Sequence, residues 1–307
     1  MVGYFLNRSQ GCIILAALGF SFILVFSTVL KDTGMSSLEQ LFLRLCFSVV
    51  TLFVVLLVKK RVHFIRRRDV PFFTAFGLVY SLFAFSGLSS IAFGTPIPVS
   101  IALVYTQPLF TAVIAWLTKK EKITVARLGV VLLGVLGAFL VSGLLTANVQ
   151  FGLGLVFPIL TGFFYAVYLL LKRHATSGVL GDYAPYQVLF GTFVFALPSV
   201  VVVGLLLQNV SSNPLFVGLT APNWVQLGLL LVFAVVSTVL PYGLLNYVKV
   251  EEVSPTTEGL LLLGDPVLHT TWAILFFNQY VTAIQYVGGA LILLSAAISL
   301  IISAKTG

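Results

Sequence analysis

Long apolar runs dominate this sequence: ten of them, each about twenty residues long, follow one another with short polar connections. At 1.5 Å per residue, a helix of about twenty residues crosses the roughly 30 Å hydrocarbon core of a bilayer. Only 8% of the residues are charged and 59% are hydrophobic, whereas soluble domains carry about 25% charged residues. The sequence therefore predicts an all-α, polytopic membrane protein.

The basic residues predict how these spans are oriented. The predicted spans are residues 11–30, 38–58, 70–93, 96–117, 126–145, 152–171, 185–207, 224–247, 254–277 and 282–303. Of the 17 Lys and Arg, all but Lys31 and Arg44 lie on the side of the two termini, with Lys172 and Arg173 counted in a loop there. Because positively charged loops stay in the cytoplasm, both termini are predicted to be cytoplasmic, in a cell (plasma) membrane.

The two halves of the chain repeat one another. Residues 95–125 align with residues 253–283 at an offset of 158, which places Pro108 on Pro266. Spans one to five thus repeat as spans six to ten, and because five is odd the second copy enters the membrane from the opposite side. Inverted repeats of this kind are typical of secondary transporters that work by alternating access. The predicted halves are residues 1–148 and 149–307.

Span nine carries the costliest polar residues. Glu258, Asp265 and His269 are separated by seven and four positions, so an unbroken helix places them on one stripe. A carboxyl group near the bilayer centre costs at least about 2.5 kcal/mol, which indicates a function. Each acid either binds a cationic group of the substrate, takes up a proton, or pairs with a neighbour and serves structure alone. Pro266 predicts a kink that frees the carbonyl of Leu262.

Span four is the repeat partner of span nine and has a polar stripe of its own. Ser100, Gln107 and Thr111 align with the three polar residues of span nine. Two such stripes predict a polar cavity near the midplane, between the halves. The carbonyl of Val104, which Pro108 frees, would add an acceptor. Gln107 is the predicted cavity residue of span four, whereas hydrogen bonds to neighbouring helices explain Ser100 and Thr111 better.

Further side chains complete the predicted site. Arg44 in span two either binds a substrate carboxylate or pairs with Glu39 or an acid of span nine, while Glu39 and Lys31 are expected to be solvated near the outer surface. Buried tyrosine hydroxyls need partners, and aromatic walls suit a flat apolar substrate. The predicted binding residues, with no metal and no cofactor, are Asp265, Glu258, His269, Gln107, Arg44, Tyr80, Tyr165 and Trp272.

Two five-helix halves, each with a proline in its fourth helix and a closing Glu/Gln-x-hydrophobic-Thr before its fifth, resemble the EamA-type branch of the drug/metabolite transporter superfamily. The resemblance covers essentially the whole chain and rests on Arg44, Pro108, Glu121 to Thr124, Pro266 and Gln279 to Thr282. The family usually ends its ninth helix in Gly-Glu, where this chain has Asn278-Gln279. The resemblance implies a carrier or exporter of small organic metabolites and leaves the substrate open.

Motifs narrow the predicted function to transport. The chain has no G-x-x-x-x-G-K-[ST] motif, so ATP bound by this chain is not the energy source. We therefore predict a secondary transporter that exports small organic metabolites such as amino acids, alternating access to a central midplane cavity; a proton-coupled multidrug or amine exporter is the alternative. An intramembrane enzyme is not favoured, because the sequence shows no nucleophile–base or metal motif. A channel is not favoured either, because no ring of charge and no carbonyl filter is visible in the sequence.

The expected partners follow from that function. They are the small organic solute, membrane lipid, and either a proton or a counter-substrate. Nucleic acid is not expected, because the membrane topology explains the net charge of +8 better. Small residues on spans five and ten, including Gly137 and Gly288, indicate close packing within the chain or, alternatively, a dimer surface. Both a monomer and a homodimer fit the sequence.

Overall fold

The computed structural model describes residues 7–60, 65–95, 97–118, 124–141, 152–175, 178, 180, 182–249, 251–277 and 282–306. Within them the regular secondary structure is helical throughout. Seven stretches are long and apolar enough to cross a membrane: Arg8–Asp32, Ser37–Val58, Arg67–Ala92, Leu153–His174, Pro185–Leu207, Trp224–Asn246 and Pro255–Phe276. Three shorter apolar helices are Gln107–Leu117, Val125–Leu140 and Ala283–Ser299. The chain is a multi-pass membrane protein.

Fifteen α-helices follow one another along the described chain. They are α1 (Arg8–Phe20), α2 (Ile23–Asp32), α3 (Ser37–Val58), α4 (Val70–Ala92), α5 (Ile97–Val104), α6 (Gln107–Leu117), α7 (Val125–Val141), α8 (Leu153–His174), α9 (Pro185–Leu207), α10 (Pro214–Val217), α11 (Trp224–Ala234), α12 (Leu240–Asn246), α13 (Pro255–Leu262), α14 (Gly264–Phe277) and α15 (Ala283–Thr306). A π-helical segment, Val235–Val239, joins α11 to α12.

Polar side chains determine where several helices begin. At the start of α1, Asn7 Oδ1 accepts from the Gln10 backbone N–H at 2.8 Å, and Gln10 Oε1 accepts from the Asn7 N–H at 3.0 Å. Ser36 and Glu39 make the same reciprocal pair at the start of α3. Such pairs satisfy N–H groups that the first helical turn leaves without partners. The local sequence therefore determines where these two helices begin.

The structure differs from the expectation for Glu39, which is buried rather than solvated. Besides capping α3, its carboxylate accepts hydrogen bonds from the backbone N–H of Thr220 and from the Thr220 hydroxyl, the latter at 2.9 Å. The long loop after α9 folds back over this helix start, since Ser36 also donates to the carbonyl of Gly218 at 2.6 Å. The Glu39 carboxylate is thus bonded to the loop, whereas the Arg44 guanidinium lies over the ring of Phe233.

Contacts between helix ends define two ends of the helical bundle. At one end, the Ser9 hydroxyl donates to Glu252 Oε2 at 2.6 Å. At the other, Gln226 Nε2 donates to the Thr33 hydroxyl at 2.9 Å. We call the first end the basic end, because it carries exposed basic residues of the connections, Lys59, Lys60 and Arg66 to Arg68. The second is called the opposite end.

Three of the predicted spans are interrupted near their middle. Span one breaks between α1 and α2, span four between α5 and α6, and span nine at Leu263, between α13 and α14. A kink at Pro266 was expected. Instead the helix stops before it, and Pro266 lies in the first turn of α14, where a missing N–H costs nothing. Pro108 has the equivalent place in α6.

Two sequence expectations around these interruptions have different outcomes. The Val104 carbonyl faces α8, because a Cβ added to Gly162 would lie 2.9 Å from it. That carbonyl therefore lies at the contact between α5 and α8. The residues of the closing motifs, Glu121 to Ile123 and Gln279 to Val281, lie outside the described part of the chain.

Glycines let several helix pairs approach closely. α7 packs along α15, where a Cβ on Gly137 would lie 2.7 Å from the carbonyl oxygen of Gly288. α4 packs along both α8 and α9. Small residues at such crossings bring backbones together, which is the usual mode of helix association in membranes. The small faces of α7 and α15 are thus used within the chain.

Replacing Gly77 by Ala is expected to destabilise the α4–α9 contact. The new Cβ would lie 2.6 Å from both the Ala196 nitrogen and the Phe195 carbonyl carbon, which are backbone atoms that cannot move alone. Overpacking of this kind costs about 1–3 kcal/mol. Gly129→Ala is the matched control, because nothing lies within 4 Å of its added Cβ. Thermal unfolding in detergent should show a lower midpoint for Gly77→Ala alone; equal midpoints would contradict this packing.

Candidate substrate cavity

A cavity of about 120 Å³ opens where the interrupted helices meet. Ten helices contribute to its wall: α1 to α6, α8, α12, α13 and α14. Most of the lining is apolar. The polar side chains and tyrosines that line it are Arg44, Ser100, Tyr105, Gln107, Thr161, Tyr165, Tyr242, Asp265 and His269. A concave, mostly apolar space with a few converging polar groups is the usual form of a small-molecule site.

Asp265 is held at the centre of this polar group. The Tyr105 hydroxyl, at the interruption between α5 and α6, donates to Asp265 Oδ2. His269, one turn later in α14, has its Nδ1 3.2 Å from Asp265 Oδ1 and 3.2 Å from the Asp265 backbone carbonyl. Tyr105 thus connects the two interrupted spans through one carboxylate.

Two buried atoms of this group lack hydrogen-bond partners among the described residues: Asp265 Oδ1 and His269 Nε2. His269 Nδ1 is hydrogen-bonded to the backbone carbonyl of Asp265, while Oδ1 has no hydrogen bond within the described chain. A buried carboxylate oxygen without a donor carries a desolvation cost. A ligand that donates hydrogen bonds, above all an ammonium group, would offset that cost.

Arg44 supplies a positive charge to the same cavity. Its guanidinium lies over the ring of Phe233, 4.5 Å from the ring centre, and its side chain is buried. Its Nε has no hydrogen-bond partner among the described residues. The planar guanidinium fork matches a carboxylate, which it binds through two N–H groups. Stacking on Phe233 holds the fork in place before any anion arrives.

The remaining polar residues of the wall already have partners. Ser100 shares a hydrogen bond of 2.5 Å with Ser90, and Gln107 Nε2 donates to the Thr111 hydroxyl at 2.5 Å. Thr161 donates to the carbonyl of Phe157 at 2.9 Å. These groups shape the cavity and offer their remaining donors and acceptors to a ligand.

The structure brings five of the eight predicted site residues to the cavity: Arg44, Gln107, Tyr165, Asp265 and His269. Three lie elsewhere. Tyr80 packs in a layer of rings, 5.3 Å from Tyr242 and 5.8 Å from Tyr168 between ring centres. Trp272 stacks on Phe22 at 4.7 Å, and its indole N–H donates to the Ser21 hydroxyl at 2.7 Å.

Glu258 also lies away from the cavity, because the interruption at Leu263 ends the stripe that an unbroken helix would have formed. It is fully buried and accepts hydrogen bonds from Lys172 Nζ and, at 3.3 Å, from Arg173 Nη1. Lys172 and Arg173 belong to the last turn of α8 and are buried. Their expected position in a solvated loop is therefore corrected.

The predicted binding residues omitted three polar residues of the cavity wall, Tyr105, Thr161 and Tyr242, and the sequence did not indicate that Lys172 pairs with Glu258. For Tyr105 a signal existed. It lies three residues before Pro108, where a helix that restarts at a proline exposes side chains of the preceding turn. It also aligns with Leu263 at the offset of 158, so the two interruptions occupy equivalent positions of the repeat. For Thr161 and Lys172 no local pattern pointed to their partners.

Comparison with known proteins agrees with this architecture. The sequence profile of the EamA-like transporter family matches residues 9–143 and 152–301. An uncharacterized transporter of Archaeoglobus fulgidus is 24% identical over 297 residues, covering 96% of this chain and 97% of its own. An uncharacterized transporter of Synechocystis is 29% identical over 161 residues, covering 52% of this chain and 43% of its own.

A solved crystal structure shares the fold. It superposes with a TM-score of 0.67 at 16% sequence identity, covering 95% of this chain and 98% of its own. The family profile matches most of the chain, in two segments that flank its middle. This protein therefore belongs to the EamA-like transporter family, within the drug/metabolite transporter superfamily.

Proposed function

We propose that this protein is a secondary transporter that exports small zwitterionic metabolites such as amino acids. The observation that carries the proposal is one cavity lined by a buried cation, Arg44, and a largely buried anion, Asp265, each with a buried atom that lacks a hydrogen-bond partner among the described residues. Asp265 Oδ1 would accept from the substrate ammonium, and Arg44 would donate to the substrate carboxylate. Their cost as desolvated groups is offset only when a ligand of both charges is bound.

The apolar wall supports a substrate with an apolar or aromatic side chain. The Phe83 and Tyr165 rings stack at 4.7 Å between ring centres, and Phe20 contacts Tyr242 edge-on at 4.8 Å. All four residues line the cavity. A side chain placed there gains the energy of burying apolar surface, and an aromatic one gains ring contacts as well.

Two further features support alternating access between inverted halves, residues 1–148 and 149–307. The family profile matches once in each half. Spans four and nine are interrupted at equivalent positions, Tyr105 and Leu263, as expected for discontinuous helices that form a midplane site. We place the basic end and both termini in the cytoplasm, with ten spans crossing the plasma membrane, because basic connections stay inside.

A proton-coupled exporter of drugs or amines is the second candidate, and Asp265 is the observation that favours it. A buried carboxylate binds a lone cation as readily as an ammonium of a zwitterion. Arg44 lines the same cavity and disfavours this second candidate, because a guanidinium repels a substrate that carries positive charge alone. The two candidates therefore differ in whether the substrate needs a carboxylate.

Counterflow in proteoliposomes distinguishes the candidates. Vesicles are loaded with unlabelled amino acid, amine or sugar, and uptake of a labelled solute is followed. We expect saturable exchange of an aromatic or aliphatic amino acid, and at least about tenfold weaker exchange of the amine that lacks its carboxylate. Equal exchange of the two would favour the amine exporter. Linear, non-saturable flux would exclude a carrier.

A further inference from the structure

The cavity lies nearer to one end of the helical bundle than to the other. On α5 and α6 the lining includes Ser100 and Gln107 but not Thr111, and on α14 it includes Asp265 and His269. It therefore extends from the interruptions toward the opposite end. The basic halves of the same spans, α6 and α13, pack together, whereas the opposite halves, α5 and α14, pack less closely within the described chain.

The repeat shows what the other state requires. At the offset of 158, Gln107 aligns with Asp265, and both line the cavity. Ser100 aligns with Glu258, and Thr111 aligns with His269. If the halves exchange conformations, as alternating access demands, Glu258 and Thr111 come to line a cavity that is open to the basic end. Glu258 must then leave its present partners.

Those partners hold the basic end closed across three helices. Glu258 in α13 accepts from Lys172 and Arg173 in α8, and Lys172 Nζ also donates to the carbonyl of Leu245 in α12, at 3.1 Å. Glu258 is 0% exposed and Lys172 is 1% exposed. Buried charges that have lost their hydration depend on one another, so removing the Glu258 charge weakens the contact between α8 and α13.

At the aligned positions of the opposite end, the described residues form no counterpart of this cluster. Lys172 aligns with Lys31 at the offset of 141, and Glu258 aligns with Ser100, so the acid is replaced by a hydroxyl. Ser100 bonds Ser90, within the first half. The aligned residues can thus form an ionic cluster when the transporter is closed at the basic end, but not when it is closed at the opposite end.

We propose that Lys172, Arg173 and Glu258 form a latch that keeps the basic end closed and makes this the resting state of the empty transporter. The proposal rests on alternating access as the proposed function, and on the latch being formed in one state only. Substrate binding or entry of water at the basic end must separate Glu258 from α8 in every transport cycle.

The test measures opening directly and needs no substrate. Cys12 and Cys46, both free thiols, are replaced by Ser, and Thr111→Cys serves as the reporter, because Thr111 is fully buried now and is expected to reach water when the basic end opens. An impermeant maleimide is applied to the basic side of the membrane. We expect Glu258→Gln to increase the labelling rate on the order of tenfold.

Two further variants separate a latch from general damage. Glu258→Asp keeps a negative charge between Lys172 and Arg173 and should label nearer the slow rate than Glu258→Gln does. Glu252→Gln is the matched control at the basic end: its partly exposed carboxyl pairs with Ser9 and Lys249, and the Ser9 hydrogen bond holds its pKa below the usual value. Labelling in this control should not change.

The outcomes are distinct. Fast labelling in Glu258→Gln but not in Glu258→Asp supports the latch, whatever solute the protein carries. Unchanged labelling in a folded, monodisperse Glu258→Gln protein overturns it and makes the cluster a static brace. Equally fast labelling in Glu258→Asp also overturns it, because the effect is then loss of packing and not loss of charge. Failure of counterflow with amino acids would leave these labelling results standing and reject the proposed substrate instead.

Discussion

Replacing Asp265 by Asn is expected to raise the half-saturation concentration for a transported amino acid roughly 30- to 1,000-fold. Asn has nearly the same shape and can still accept from Tyr105, so the fold should survive. What is lost is the negative charge that faces the substrate ammonium. Removing one partner of a buried, hydrogen-bonded charge pair costs about 2–4 kcal/mol, and about 1.4 kcal/mol corresponds to a factor of ten.

The matched control for this variant is Asp182→Asn. Asp182 lies at the surface of the basic end, where it pairs with Arg66 at 2.6 Å while its side chain stays 66% exposed. Exposed ion pairs contribute little, so transport should be unchanged. Concentration dependence of exchange, measured in proteoliposomes for both variants, checks the prediction. Normal half-saturation in Asp265→Asn, together with an unchanged pH profile, would remove Asp265 from the binding site.

Replacing Arg44 by Met is expected to abolish recognition of the carboxylate. We expect half-saturation for an amino acid to rise roughly 30- to 1,000-fold, while exchange of the matching amine changes less than about threefold or improves. The reason is that Met keeps much of the apolar contact with Phe233 but has no donor. Arg44→Lys should fall between Met and the native protein, since a lysine keeps the charge but loses the planar fork.

Exchange of the amine is measured as well, because it distinguishes misfolding from the loss of a single contact. A variant that is merely misfolded loses exchange of both solutes, whereas loss of one contact affects the carboxylated solute alone. Arg68→Met is the control for the change in net charge, because Arg68 lies exposed at the basic end. If Arg44→Met weakens amino acid and amine equally, Arg44 serves helix packing against Phe233 and does not bind the substrate.

Local patterns predicted an all-helical membrane protein, and the structure confirms it. Apolar runs of about twenty residues can be recognised without long-range information, because any such run is stable as a helix in the bilayer. The prolines at 108 and 266 predicted an irregularity in spans four and nine, of which a kink at Pro266 was the expected form. The form of the discontinuity differed: the helix stops and restarts, so residues on the two sides no longer share one stripe.

Pairings between helices were beyond the reach of these patterns. Glu258 and Lys172 are 86 residues apart, and Glu39 is 181 residues from Thr220. Which charge meets which depends on how the helices cross and how far a lysine or arginine side chain reaches. A loop position for Lys172 was a natural expectation from charge, yet the last turn of α8 buries it against an acid.

The sequence by itself determined that this is a helical, multi-pass membrane protein of the EamA-like family, and it indicated where polar groups interrupt the apolar spans. Hydrophobicity, proline chemistry and motif spacing are local, so they can be read along the chain. Only the tertiary structure decided that Arg44 and Asp265 line one cavity while Glu258 is buried against Lys172 and Arg173. The physical reason is that a buried charge is defined by the partners brought to it, and those partners come from helices distant in sequence.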